Sequence, residues 1–381
     1  MKTFWRDSFF RTHLSKKLSF RPLALQTMAS KAEQKGTKAA SIQNSMAKAR
    51  GAKLELGTRP MLSATTLILA LVLVPVVAII VGLFAVMFGR LWQLSVSDIP
   101  FHKFSNHPSE LQTLLASGVI RSHEMIPLYR DHPSFVTFAG DVDGPTVVLI
   151  HGYPESGLLS YPKQIEFLAK LGYNVVVPDL RGFNGSFDAS VPLSEYNPDA
   201  AMEDLRILIQ KTARGKKVAI VGHDWGCIPV YEVVRLNPHL FATVVQLSGV
   251  HLMAYMRYGS KNLYKHVHYS WYILWDFTFG NIGNAAEWVA VSDDYAFMKK
   301  FWLGTANTGS YSLQDIEEYK AVWSKPGLMT SMLAWYRYVP NLFLRHLMRD
   351  GFEAMAAPEI PASVPVTIVW GCNSLAAKGH T

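Results

Sequence analysis

The sequence predicts an α/β chain built on a mostly parallel sheet with helices on both faces. Three observations carry that prediction. From Ser134 onward, short Val- and Ile-rich runs alternate with stretches of helical apolar spacing, the pattern of strands joined by crossover helices. Each run ends in a loop rich in Gly, His, Asp or Pro, and loops at the carboxyl ends of parallel strands are where ligands bind. The charge is also segregated: residues 1–60 hold 13 Lys/Arg against 3 Asp/Glu, which leaves 24 against 26 in the rest of the 381 residues. The net charge of +8 therefore belongs to a leader, and no nucleic-acid partner is implied for the folded part. Two cysteines, Cys227 and Cys372, exclude a disulfide framework and an all-Cys metal site.

In chain order, residues 1–60 read as a basic cytosolic tail. Their stretch 29–53 is rich in Ala, Lys, Gln and Ser with no aromatic, so it has little to bury. Met61 to Gly89 contains no charged residue, and its 29 residues exceed the roughly 20 that a helix needs to cross a bilayer. Pro75 inside it is tolerated better by a spanning helix than by a soluble one. A transmembrane helix over 61–89 is the expectation. Arg90 and Lys103 are the only basic residues in the twenty after it, so the positive-inside rule puts the amino terminus in the cytosol. The expected location is a single-pass position in the endoplasmic reticulum membrane. The rival is mitochondrial import, because the first thirty residues are Arg/Ser-rich and nearly free of acids.

Residues 90–130 read as a linker with the first core elements, and 131–250 as the core. Val147–Ile150, Asn174–Val177, Val218–Val221, Thr243–Leu247 and Val366–Trp370 are the expected strands. Ile165, Leu168 and Ala169 space one helix. Met202, Leu205, Ile209 and Thr212 space a second, with Asn197 as its cap and Pro198 in its first turn. Val230, Tyr231 and Val234 line a third.

The loop Gly222-His223-Asp224-Trp225-Gly226 follows an apolar run and precedes a helical pattern. It has the glycine spacing of a nucleophile elbow, with Asp where Ser is common. The glycines are needed because side chains would collide in so tight a turn. Peptide dipoles at the helix start keep such a carboxylate ionised. A carboxylate attacks saturated carbon to give an ester, which suits opening an epoxide or displacing a halide. Taken alone, the motif is equally a chance G-x-D-x-G at a turn. An earlier strand closes in His151-Gly152-Tyr153-Pro154, where the Tyr153 N–H and the Trp225 N–H would form an oxyanion hole. His151, Pro154 and His223 are expected to line the pocket. Asp179-Leu180-Arg181-Gly182 with Ser186 is expected to brace it.

Three such loops in this order resemble the α/β-hydrolase fold over roughly residues 130 to 371, and the Asp elbow resembles epoxide hydrolases and their dehalogenase relatives. The resemblance implies Asp224 as nucleophile and two cap tyrosines that hydrogen-bond the epoxide oxygen. The aromatic insertion 251–355 fits a helical cap. Ser270-Trp271-Tyr272-Ile273 resembles the segment of the first tyrosine, and Pro326-Gly327-Leu328 through Trp335-Tyr336-Arg337 that of the second. Tyr272 and Tyr336 are thus the implied oxygen activators. Ala334 stands where the family often has Asn, and Trp275-Asp276-Phe277 with Gly280 departs from the family after the first tyrosine. His266 and His268 have no further ligand spaced to complete a metal site. No cofactor is implied, and the implied partners are a small-molecule epoxide, of lipid or xenobiotic origin, and the membrane.

An aspartyl ester must be hydrolysed by water that a histidine deprotonates and an acid orients. The family's acid follows the strand ending in Trp-Gly, and its histidine lies one strand later. Here 356–381 reads as a truncated end of the core: Ser374 falls where the Asp is expected, and nothing holds His380 as a base. The expectation is epoxide opening through an ester, with poor turnover, and an exposed edge at Val366–Trp370. The rivals are a non-catalytic membrane-anchored scaffold of the same fold and a dehalogenase.

Overall fold

The computed structural model describes residues 104–105, 107–249, 284–305, 307, 309–350 and 360–371, with 82, 85 and 254 besides. The chain divides into two compact units, Met1–Leu73 and Val74–Thr381, and everything that follows belongs to the second. Among the described residues no helix is long and apolar enough to cross a membrane. The span expected over 61–89 lies outside them except for Gly82 and Ala85, as do Tyr272, Ser374 and His380.

A seven-stranded sheet runs in the order β2-β3-β5-β4-β6-β7-β9. Its strands are β2 (Ile120–Pro127), β3 (Pro133–Gly140), β4 (Thr146–Ile150), β5 (Asn174–Pro178), β6 (Val218–His223), β7 (Phe241–Leu247) and β9 (Val366–Val369). β5, β4, β6, β7 and β9 are parallel, and the β2–β3 and β3–β5 pairs are antiparallel. The five runs expected from sequence are these parallel strands. The two antiparallel ones went unforeseen: β2 has no buried residue and mixes polar with apolar side chains, and β3 alternates buried and half-buried positions without a continuous Val/Ile run.

Alternation along the parallel strands feeds two cores, since successive side chains point to opposite faces. Val148, Ile150, Val176 and Ile220 pack into one with helices α4 (Pro198–Thr212) and α5 (Cys227–Leu236). Val147, Leu149, Val175 and Val177 pack into the other with α1 (Glu110–Ala116) and α3 (Pro162–Lys170). Each fully buried Val, Leu or Ile stabilises the fold by about 1.5–3 kcal/mol. The Asn197 side chain accepts the Ala200 N–H at 3.0 Å and starts α4, with Pro198 in the first turn. Leu205, Leu208 and Ile209 are its buried face.

The described part of the insertion supplies α6 (Ala285–Thr305), β8 (Tyr311–Ser312), α7 (Leu313–Trp323) and α8 (Leu328–Asp350). Backbone angles inside α6 break it at Ser292–Tyr295 into two pieces. β8 pairs in parallel with β1 (Phe104–Ser105), and the Ser109 hydroxyl donates to Glu318 at 2.7 Å, so the segment before α1 is strapped to α7. At the other end of the sheet β9 is the edge strand among the described residues, with Ile368 62% exposed.

Candidate active site

β6 lies between β4 and β7, and at its end the chain reverses within three residues before α5 begins. Asp224 takes up that reversal with φ +48°, a left-handed conformation that L residues adopt at a cost. The turn fits only because β4 approaches it closely. A Cβ on Gly226 would stand 2.4 Å from the His151 carbonyl oxygen and 2.8 Å from that of Ile150. A Cβ on Gly152 would stand 2.5 Å from the Asp224 Cβ.

One backbone amide is bonded to the carboxylate and a second stands beside it. The Tyr153 N–H donates to Asp224 Oδ1 at 3.0 Å, and the Trp225 N–H follows Asp224 directly in the turn. Burial pushes the Asp224 pKa up; the His223 charge and these two amides oppose the shift, and Glu155 reinforces it. The Tyr153 phenol reaches the sulphurs of Met298 and Met329, both at 3.8 Å.

His223, one residue before Asp224, places Nδ1 3.1 Å from Glu155 Oε2. Glu155 is 4% exposed and also accepts the Ser160 hydroxyl; the Tyr319 hydroxyl of α7 lies 3.4 Å from its other oxygen. Burial alone would lower the His223 pKa, but Glu155 and then Asp224 outweigh it and hold it at about 9. Burial likewise disfavours the charged Glu155, and the His223 charge and its hydrogen bond reverse that, leaving the carboxyl below its ordinary value. The pair is therefore an imidazolium and a carboxylate at neutral pH.

The cap closes over this floor. The Tyr336 ring on α8 is 4% exposed and sits edge-on to both Tyr153 and Trp225, at centroid distances of 5.1 and 4.7 Å. Its neighbours moor the helix: Trp335 donates its indole N–H to the Arg181 carbonyl at 3.1 Å, and the Ser331 hydroxyl donates to the Gly182 carbonyl at 2.6 Å. From α7, Trp323 donates to the Pro154 carbonyl at 2.8 Å. The moorings end on the loops that follow β5 and β4.

With this geometry in hand, the relatives can be placed. The α/β-hydrolase fold family matches residues 145–278. An AB hydrolase superfamily protein of Bacillus subtilis is 27% identical over 62% of this chain and 76% of its own length. Epoxide hydrolase 2 of Caenorhabditis elegans is 26% identical over 66% of both chains, and human epoxide hydrolase 4 is 25% identical over 62% of this chain and 60% of its own. The chain thus spans about three-fifths to three-quarters of the length of these relatives. The crystal structure of an epoxide hydrolase from Vigna radiata, 25% identical, superposes with a TM-score of 0.50 over 69% of this chain and 85% of that one. A Salmonella enterica acyltransferase structure reaches 0.56 at 20% identity over 68% and 81%, a likeness of fold alone.

The chain has the α/β-hydrolase fold and is similar to epoxide hydrolases.

In this fold the Asp179–Gly182 loop is a brace. Asp179 accepts the Gly157 N–H at 2.8 Å, the Asn184 amide at 2.9 Å and the Gly185 N–H at 3.0 Å. The Ser186 hydroxyl donates to the Asp179 carbonyl at 2.9 Å. Arg181 makes a two-pronged pair with buried Asp204 at 2.7 and 2.8 Å and donates to the Tyr129 carbonyl at 2.6 Å.

The structure brings Asp224, Tyr153, Trp225, His223, Pro154 and Tyr336 together. His151, expected in the pocket wall, lies wholly buried behind it. Its Nε2 takes the Leu180 N–H at 2.8 Å, so Nδ1 carries the proton and donates to the Gly152 carbonyl at 2.9 Å. Burial keeps that imidazole neutral. Sequence reasoning missed Glu155, whose one signal was an acid directly after the His-Gly-Tyr-Pro loop. It also missed Tyr319 and Trp323, which carried no motif.

Proposed function

We propose that this protein opens small-molecule epoxides with Asp224 as the nucleophile. One observation carries the reading: a carboxylate on a left-handed turn at a strand end, held by the Tyr153 amide, with the Tyr336 phenol ring packed edge-on to both Tyr153 and Trp225. A carboxylate oxygen of Asp224 forms a bond to one ring carbon, and the C–O bond of that carbon breaks. The electron pair goes to the epoxide oxygen, which takes the phenolic proton of Tyr336, with Tyr272 as the second donor in the reading. The products are a hydroxyalkyl ester on Asp224 and a phenolate that regains its proton from solvent. Water adding to the ester carbonyl, with one proton passing to the leaving alkoxide and one to solvent, would release the diol and return the carboxylate, the Tyr153 amide facing the oxyanion; without a positioned histidine base this step is expected to be slow. Relatives named epoxide hydrolases support the substrate class.

The apolar surroundings of Tyr153 and Tyr336, among them Met298, Met329 and Trp225, suit a lipid or xenobiotic epoxide. The uncharged stretch 61–89 behind a basic leader supports a single-pass anchor with a cytosolic amino terminus, in the endoplasmic reticulum membrane.

The test is to incubate the purified chain with styrene oxide and analyse peptides by mass spectrometry. A stoichiometric adduct on Asp224, absent from D224N, is the expected result. No adduct on the wild-type chain, with no diol formed, overturns the proposal and favours a non-catalytic scaffold.

A further inference from the structure

We infer that the segment from Phe104 to Gln112 is a latch on the cap: its side chains hold Glu318 of α7, and their release frees α7 from the loop that carries Tyr153. The inference needs no reaction at Asp224 and goes beyond the function proposed above. Its ground is a set of hydrogen bonds between distant parts of the chain. The Ser109 hydroxyl donates to Glu318 Oε1, 209 residues away, at 2.7 Å, and the Gln112 side-chain amide donates to the same oxygen at 3.1 Å. The Glu110 N–H donates to Asp315 Oδ1 at 3.0 Å, and β1 pairs with β8, which runs directly into α7. Ser109 is itself fixed, being wholly buried and accepting the Gln112 N–H at 3.1 Å as the cap of α1. Glu318 depends on these donors. Its Oε2 is enclosed without a hydrogen-bond partner among the described residues, so the bonds that hold the carboxylate there come from the latch.

Helix α7 carries two stripes of contacts. Asp315 and Glu318, three residues apart, face the latch, whereas Tyr319 and Trp323, four apart, face the site. The Tyr319 hydroxyl donates to the Leu159 carbonyl of α2 (Gly157–Ser160) at 3.1 Å, and Trp323 donates to the carbonyl of Pro154, the neighbour of Tyr153, at 2.8 Å. One helix of 11 residues thus joins the latch to the loop that holds Asp224. The latch is also releasable. It borders a crevice of about 320 Å³ lined by His107, Glu110, Lys163, Glu166 and Ser310, which gives water access to the polar groups beside it. Hydrogen bonds that water can replace hold only weakly. A lid over an active site opens to admit substrate, and a latch of this kind sets how often it does so.

Hydrogen–deuterium exchange on the full chain, read by peptide mass spectrometry, tests the latch. Glu318→Ala removes the acceptor, and Glu318→Gln keeps an acceptor oxygen in its place. In E318A, exchange is expected to speed by about tenfold or more across α7 and residues 153–160, while β4, β6 and α4 keep the wild-type rate. E318Q is expected to restore the protection. An unchanged α7 in E318A overturns the inference, as does a rise spread evenly over β4, β6 and α4, which marks a general loss of stability. E318Q as fast as E318A also overturns it, and a faster α7 with 153–160 unmoved overturns the link to the Tyr153 loop. Should E318A fail to fold, Q112A decides: it removes one donor by truncating an exposed side chain, and α7 protection equal to that of wild type overturns the latch. No readout involves Asp224, so a chain that forms no epoxide adduct overturns the proposed function and leaves the exchange result to decide the latch.

Discussion

The Tyr153 amide and the Asp224 carboxylate, 71 residues apart in the chain, meet at 3.0 Å. That one hydrogen bond joins the loop after β4 to the turn after β6, and in the proposed reaction it aims a donor at the place where charge develops during ester hydrolysis. A group that steadies the ground-state carboxylate and the later oxyanion alike needs no rearrangement between the two steps.

Tyr336→Phe keeps both edge-on ring contacts and removes only the acidic proton. Ester formation from an epoxide should slow by about 100-fold or more, the usual scale for loss of a positioned acid. Thermal stability should hardly change, and attack on an alkyl halide, which needs no proton, should be unaffected. Single-turnover mass spectrometry with the two substrate types checks this, and equal slowing of both would point to a packing role.

Gly226→Ala forces a methyl group against the carbonyl oxygens of His151 and Ile150 at the end of β4, at 2.4 and 2.8 Å. Neither oxygen is the end of a flexible side chain, so β4 or the elbow must move. A loss of about 3 kcal/mol or more is expected in denaturant unfolding, at or beyond the upper end for overpacking. Adduct formation on Asp224 should be lost along with it.

Arg181→Ala leaves Asp204 buried with no cation, where the guanidinium now makes two bonds of 2.7 and 2.8 Å. Breaking a buried pair in this way costs about 3–5 kcal/mol. Replacing both partners with apolar residues, as in R181M/D204L, should recover much of the loss. The comparison of the single and double variants by thermal unfolding separates the cost of an orphaned charge from the worth of the pair.

Stability should peak near pH 6.5. His223 is raised from 6.5 to about 9, so its contribution is full below 6.5 and is lost as pH climbs through 9. His132 and His151 are pushed down by burial, His132 to about 4, so the unfolded chain takes up their protons first and stability falls below 6.5. Glu155, lowered from 4.5, steepens the acid side further as pH drops through its folded value. Melting temperature against pH in wild type and H223Q is the measurement. H223Q should be less stable at neutral pH and should lack the alkaline decline.

Much of the site was legible before any coordinates because its parts are local. A strand ending in glycine, a turn that tolerates no side chain at Gly226 and a helix starting at Cys227 are dictated within about ten residues, and so the Asp224 elbow can be read directly. The Asn197 cap and the Pro198 first turn are legible for the same reason. Tertiary structure alone decided the rest. Glu155 and His223 pair across 68 residues, Tyr336 reaches Trp225 across more than a hundred, and Trp323 reaches Pro154 across 169. His151 shows the limit most plainly: its position in a motif pointed to the pocket, but its two ring nitrogens are spent on backbone groups behind the wall. Periodicity and turn chemistry act over a few bonds, whereas the charge state of a buried carboxylate depends on whatever the fold packs beside it.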